Sequence, residues 1–233
     1  MEVEDILAEL EAYDKKEAQA ASHAPGRHDG SPGALQEALH KVRNGAATLD
    51  LSHWSIRLGA AGCEALADCL ARPQLQLTTL LLRCCDINGR GATAIADSLK
   101  KNESVTKLDL NSNQIGDAGA TAIADMLQTN VKLRWLDIEG NGIGANGGTA
   151  LADALRINRG LVSLHASENS IADAGAANLA RALQVNNKLE ILWLDSNNIS
   201  LKSGEALVAA LKSNSTLKTV HLATPRPGSK LLT

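Results

Sequence analysis

The 233-residue sequence contains no phenylalanine, one tyrosine (Tyr13) and three tryptophans, Trp54, Trp135 and Trp193. A core packed around bulky rings is excluded, so the interior must come from Leu, Ile, Val and Ala, which suits thin, regularly stacked layers. No apolar run approaches the roughly 20 residues of a membrane-spanning helix. The opening MEVEDILAEL also lacks the basic end and unbroken apolar stretch of a secretory leader. A soluble cytoplasmic chain is expected, with no membrane partner. Nor is there a strong excess of charge of one sign: the formal net charge is -3, which argues against binding nucleic acid through a basic surface. Cys63, Cys69, Cys84 and Cys85 show no paired C-x-x-C spacing, so they are expected to be reduced structural thiols and not metal ligands or a redox pair. The strings G-x-x-x-x-G-K-[ST], H-E-x-x-H and G-x-S-x-G do not occur. The expectation is a protein that is not an enzyme and carries no cofactor and no metal.

What is present is a period. Leu80, Leu108, Leu136, Leu164, Leu192 and Val220 recur at steps of 28, with Leu49 one longer step ahead of them. Leu77, Val105, Leu133, Leu161, Leu189 and Leu217 keep the same step, as do Leu82, Leu110, Ile138, Ala166, Leu194 and Leu222. A polar column, Asn113, Asn141, Asn169 and Asn197, is followed two residues later by Ile115, Ile143, Ile171 and Ile199. Each unit reads L-x-x-L-x-L-x-x-N-x-I, then a turn punctuated by Gly91, Gly119, Gly147 or Gly175, then apolar residues four apart with alanines between them. The first half alternates as a strand does and the second recurs as a helix does. Asn repeats because its amide can satisfy backbone groups where the strand bends away; Cys85 holds that position one unit earlier.

This pattern, from Leu49 to Leu222, resembles the ribonuclease-inhibitor-like class of leucine-rich repeats, the long-repeat type of NOD-like receptors, the Ran GTPase-activating protein and tropomodulin. The resemblance implies an α/β horseshoe solenoid with a concave parallel sheet and convex helices. For function it implies several things at once, since the class includes inhibitors, receptors, cytoskeletal caps and an activating protein. Association with the cytoskeleton is among them.

The domain boundaries expected are an acidic segment and linker over residues 1–33, a solenoid over 34–223 and a tail over 224–233. Residues Ala34 to Asn44 read as a helix without its strand, capping the first layer, and Trp54 stands where later units have Asn, placed to plug that end. The final strand, near Leu217 to Leu222, precedes Pro225 and Pro227, which either blunt the sheet edge or leave it to pair with another molecule. Within residues 1–14, Val3, Ile6, Leu7, Leu10 and Tyr13 fall on one helical face among Glu2, Glu4, Asp5, Glu9, Glu11 and Asp14. Such a face suits a partner's apolar, basic groove, or a fold-back onto the solenoid.

Strand alternation turns the residues between the buried leucines onto the concave surface. Asp109 and Asp137 then lie on adjacent strands about 4.8 Å apart, compatible with a glycosidase pair but without a pocket to exclude water. His165 and His221, two strands apart at about 10 Å, are too distant for one zinc. A calcium site from Asp109, Asn111, Asp137 and Glu139 has no EF-hand-like loop to support it. What remains is an interaction surface: Trp135, His165, Ile191 and Trp193, exposed and rimmed by Asp109, Asp137, Glu139 and Asp195. The expected partner is a protein with a basic, apolar segment, and the leading function is a non-catalytic scaffold. A GTPase-activating regulator and a tropomodulin-like filament-associated protein are the alternatives. On this reading, replacing both tryptophans abolishes binding and leaves the fold intact.

Overall fold

The computed structural model describes residues 32–52 and 57–222 of the chain. The acidic segment, Trp54 and the proline-containing tail lie outside the described residues. The elements run α1 (Pro32–Arg43), β1 (Thr48–Asp50), α2 (Gly59–Leu70), β2 (Thr79–Leu81), α3 (Gly89–Leu99), β3 (Lys107–Asp109) and α4 (Gly116–Thr129). They continue with β4 (Trp135–Asp137), α5 (Ala145–Ile157), β5 (Ser163–His165), α6 (Ala172–Leu183), β6 (Ile191–Trp193), α7 (Leu201–Leu211) and β7 (Thr219–His221). The strands form one parallel sheet in chain order, each in register with the next, so that Leu80, Leu108, Leu136, Leu164 and Leu192 make a continuous row. This is the α/β leucine-rich-repeat solenoid that the 28-residue period implies. Helices pack about 8–10 Å apart and strands about 4.8 Å apart, so a stack with helices on one side curves towards its sheet.

Two asparagine ladders hold the layers in register. In the first, Asn169 donates through Nδ2 to the carbonyls of Ile138, Ala166 and Ser167, and its Oδ1 accepts from the backbone N–H groups of Asn141 and Ile143. Asn113 repeats this arrangement two layers earlier in the sheet, with Cys85 and Ile87 as its donors. Cys85 replaces the asparagine of its own unit and donates its thiol to the Leu51 carbonyl at 3.1 Å. It is buried, as are Cys63 and Cys69, and all four cysteines are free. A second ladder, Asn102, Asn130, Asn158, Asn186 and Asn214, runs along the other edge, where the helices end. Each Nδ2 reaches back to a leucine carbonyl in the last turn of the preceding unit's helix, from Leu70 for Asn102 to Leu183 for Asn214.

The glycine column has a different role from the one expected. Gly91, Gly119 and Gly147 are not turn residues: they lie within α3, α4 and α5, on the face that meets the preceding helix. A Cβ at Gly147 would stand 2.6 Å from Ile143 Cγ2 and 2.9 Å from the Ala120 Cβ, and one at Gly91 would stand 2.7 Å from Cys63 Sγ. The left-handed turns fall elsewhere. One column of them recurs at Cys84, Ser112, Gly140, Glu168 and Ser196, where only one of the five is glycine, and others include Gly116 and Gly142. Capping also crosses between units: Asp117 Oδ1 accepts from the backbone N–H of Gly144 and of Gly147, at the start of the next helix.

Candidate functional site

The strands place the expected residues together on the face of the sheet turned away from the helices, but not as an open surface. Trp135 is 4% exposed, His165 4% and Ile191 0%; Trp135 and Ile191 form, with Val162 and the half-buried Trp193, an apolar cluster separate from the main core. Asp109 and Asp137 are buried as well, while Glu139 and Asp195 are half-buried. The expectation of an exposed hot spot is therefore corrected for Trp135, His165, Ile191, Asp109 and Asp137. The physical reason lies in the spacing. Aromatic rings stack at centroid separations of about 4.5–7 Å, so strands about 4.8 Å apart let each ring close over its neighbour.

The result is a ladder of rings across four strands. Trp135 and His165 have centroids 5.2 Å apart, His165 and Trp193 4.9 Å, and Trp193 and His221 4.5 Å. Lys107 Nζ lies 4.4 Å from the Trp135 ring centroid and continues the row as a cation over the indole. The Trp193 ring separates His165 from His221, so the two imidazoles do not converge on a metal. Among the described residues no group of three His, Cys, Asp or Glu is placed to hold one.

The acidic residues do local structural work that spacing alone did not reveal. Asp109 Oδ1 accepts from the Asn111 N–H and Asp137 Oδ1 from the Glu139 N–H, each two residues on, closing the turn that ends its strand. Asn111 Nδ2 donates to Asp137 Oδ2 at 3.4 Å, and Arg83 Nε donates to Asn111 Oδ1 at 3.2 Å. The side chains of Asp109 and Asp137 belong to residues paired across β3 and β4. Burial, with Asp109 alongside, pushes the Asp137 carboxyl up to about 8. Glu139 is also raised, first by burial and then by Glu168. His165, whose Nε2 lies 2.8 Å from Ser163 Oγ, is pushed down to about 4 by burial and by the charges of Lys107 and His221.

These two shifts give a pH profile. Between pH 4 and 6.5 the unfolded chain binds a proton at His165 that the folded chain does not, so stability rises with pH. Over the same range the folded chain holds a proton at Asp137 that the unfolded chain has released, so stability falls with pH, and the two slopes offset each other. Of these two groups, only Asp137 acts above pH 6.5. Stability is expected to decline by about 2 kcal/mol between pH 6.5 and 8. Denaturant midpoints measured across this range check it: Asp137→Asn should remove the decline and leave a rise from pH 4 to 6.5, and an unchanged profile would discard the assignment.

The chain matches the family model described as Leucine Rich repeat over residues 76–96, 101–124 and 129–152. No curated protein is similar enough in sequence to match it. One similar solved structure is described as Leiomodin-1 Actin-Binding Site 2 (ABS2). It is 22% identical, with 57% of this chain and 79% of that one covered and a TM-score of 0.52. Another is the tropomodulin C-terminal domain of Caenorhabditis elegans. It is 16% identical, with 65% of this chain and 92% of that one covered and the same TM-score of 0.52. At these identities the likeness is one of fold.

Proposed function

We propose that this leucine-rich-repeat solenoid is a non-catalytic protein-binding module whose partner docks at the β6–β7 end of the ring ladder. One observation carries the reading: the ladder is closed at Trp135 and opens towards Trp193, which is half-buried, and His221, which is exposed. The Trp193 indole N–H, like that of Trp135, is turned into the cluster and meets no acceptor among the described residues. Half-buried Glu139 and Asp195 and exposed Glu168 lie on the neighbouring turns. A half-buried aromatic ring beside carboxylates suits a segment that brings an apolar side chain and a basic one. The carboxylates then act mainly on association rate and salt dependence.

In an affinity capture from the native cell, Trp193→Ala is expected to weaken retention of the partner at least tenfold, equivalent to about 1.4 kcal/mol. Its half-exposed position should leave melting little changed. Equal retention by the variant and the wild-type chain would move the site off this face. A second reading, of a filament-associated protein, is favoured by the actin-binding site named for one of the structures that share the fold. Co-sedimentation with actin filaments tests it: the chain should pellet with filaments and stay in the supernatant without them. No pelleting would set that reading aside and leave the first untouched.

A further inference from the structure

The edge where the helices end combines exposed apolar side chains with cations. Val131 is 53% exposed, Ile157 55% and Val185 53%, and each adjoins an asparagine of the second ladder: Asn130, Asn158 and Asn186. Hydrogen bonds from Asn158 to the Asn130 carbonyl and from Asn186 to the Leu155 carbonyl place the three on successive units of one row. Exposed Lys132, Arg156, Arg159 and Lys188 flank them, and none has an ion-pair partner among the described residues. Asp125 and Asp153 lie a turn further up their helices. Cations at helix C-termini offset the partial negative charge of the carbonyl ends, and this accounts for the lysines and arginines. It does not account for three large apolar side chains left in water among them.

From this edge we infer that the acidic amphipathic segment of the same chain, residues 2–14, docks across it, with Val3, Ile6, Leu7 and Leu10 over Val131, Ile157 and Val185. The charges are complementary, since on a helix Glu2 and Glu9 would flank the apolar contact on one side and Glu4 and Glu11 on the other, next to the lysines and arginines. The lengths agree too. As a helix, residues 3–13 span about 15 Å, and three successive helix ends span about 16–20 Å. The tether is sufficient: residues 15–31 extend to about 56 Å, and the edge at α5 lies about 45 Å from Pro32 by helix spacing and length. The docking is independent of the ring ladder, which faces the other way from the helices.

Amide hydrogen exchange on the full chain tests it. Residues 3–13 are expected to exchange at least tenfold more slowly than a free peptide of the same sequence, at every protein concentration used. Ile157→Ser with Val185→Ser should abolish that protection, with exchange across β4 and β5 as the control for folding. Lys132→Glu with Lys188→Glu should abolish it with the apolar residues intact. Three results would overturn the inference: free exchange in the wild-type chain, protection that survives both edge variants, or protection lost on dilution, which would seat a second copy's segment on the edge.

Discussion

Asn169→Ala is expected to destabilise the solenoid by about 3–5 kcal/mol, although it removes only a carboxamide from a turn. The two backbone N–H groups that Oδ1 accepts from, at Asn141 and Ile143, are buried and would be left without a partner. An unsatisfied buried polar group costs about 1–3 kcal/mol, and the Nδ2 bonds to three carbonyls are lost with them. Denaturant unfolding should show a lower midpoint, and thermal melting a fall of about 10 °C for a domain of this size. Asn169→Asp separates the two halves of the amide. It keeps the acceptor but presents oxygen to three carbonyls, so at neutral pH it should be no more stable than the alanine variant. A wild-type melt for either variant would mean that water replaces the ladder.

Trp135→Ala should cost about 3 kcal/mol of stability, the lower part of the range for removing a buried large aromatic. The ring belongs to the buried cluster with Ile191 and Val162, stacks on His165 and lies under Lys107 Nζ. The double replacement of Trp135 and Trp193 is therefore a folding variant as much as a binding one, contrary to what strand alternation alone suggests. Trp193→Ala should shift the urea midpoint by less than half as much, because its ring is half-buried and closes only the open end of the ladder. If Trp135→Ala unfolds at the wild-type midpoint, the cluster on the sheet face contributes no stability and the ladder is a surface ornament.

The fold was legible because its determinants are periodic. The leucine columns and the first asparagine column place every strand and the turn after it, and Cys85 takes the asparagine's position as the spacing requires. The second ladder was equally periodic but passed unseen, since Asn102, Asn130, Asn158, Asn186 and Asn214 follow helices, where a polar residue reads as an ordinary helix end. Gly147 was misplaced for a related reason. Glycine serves both left-handed turns and close helix contacts, and only the three-dimensional distance to Ile143 and Ala120 separates these uses. At the candidate site, alternation gave the correct face for Trp135, His165, Ile191 and Trp193 but not their burial. Burial there depends on whether neighbouring rings close the spaces between strands, a property of pairs across the sheet and not of any one segment.

The helices differ in how firmly they are held. α2 to α6 each bury five or six residues, from Gly62, Cys63, Leu66, Cys69 and Leu70 in α2 to the six buried in α6. α7 buries only Leu207 and Ala210, and in α1 the buried apolar residues are Leu39 and Val42. Because each layer touches only its neighbours, this gradient is a profile of opening free energies along the stack. The outer layers are the hinged pages of a bound volume: they lift at little cost, and each that lifts exposes the next. The bonds between Asn141, Asn169 and their neighbours sit where the binding is tightest.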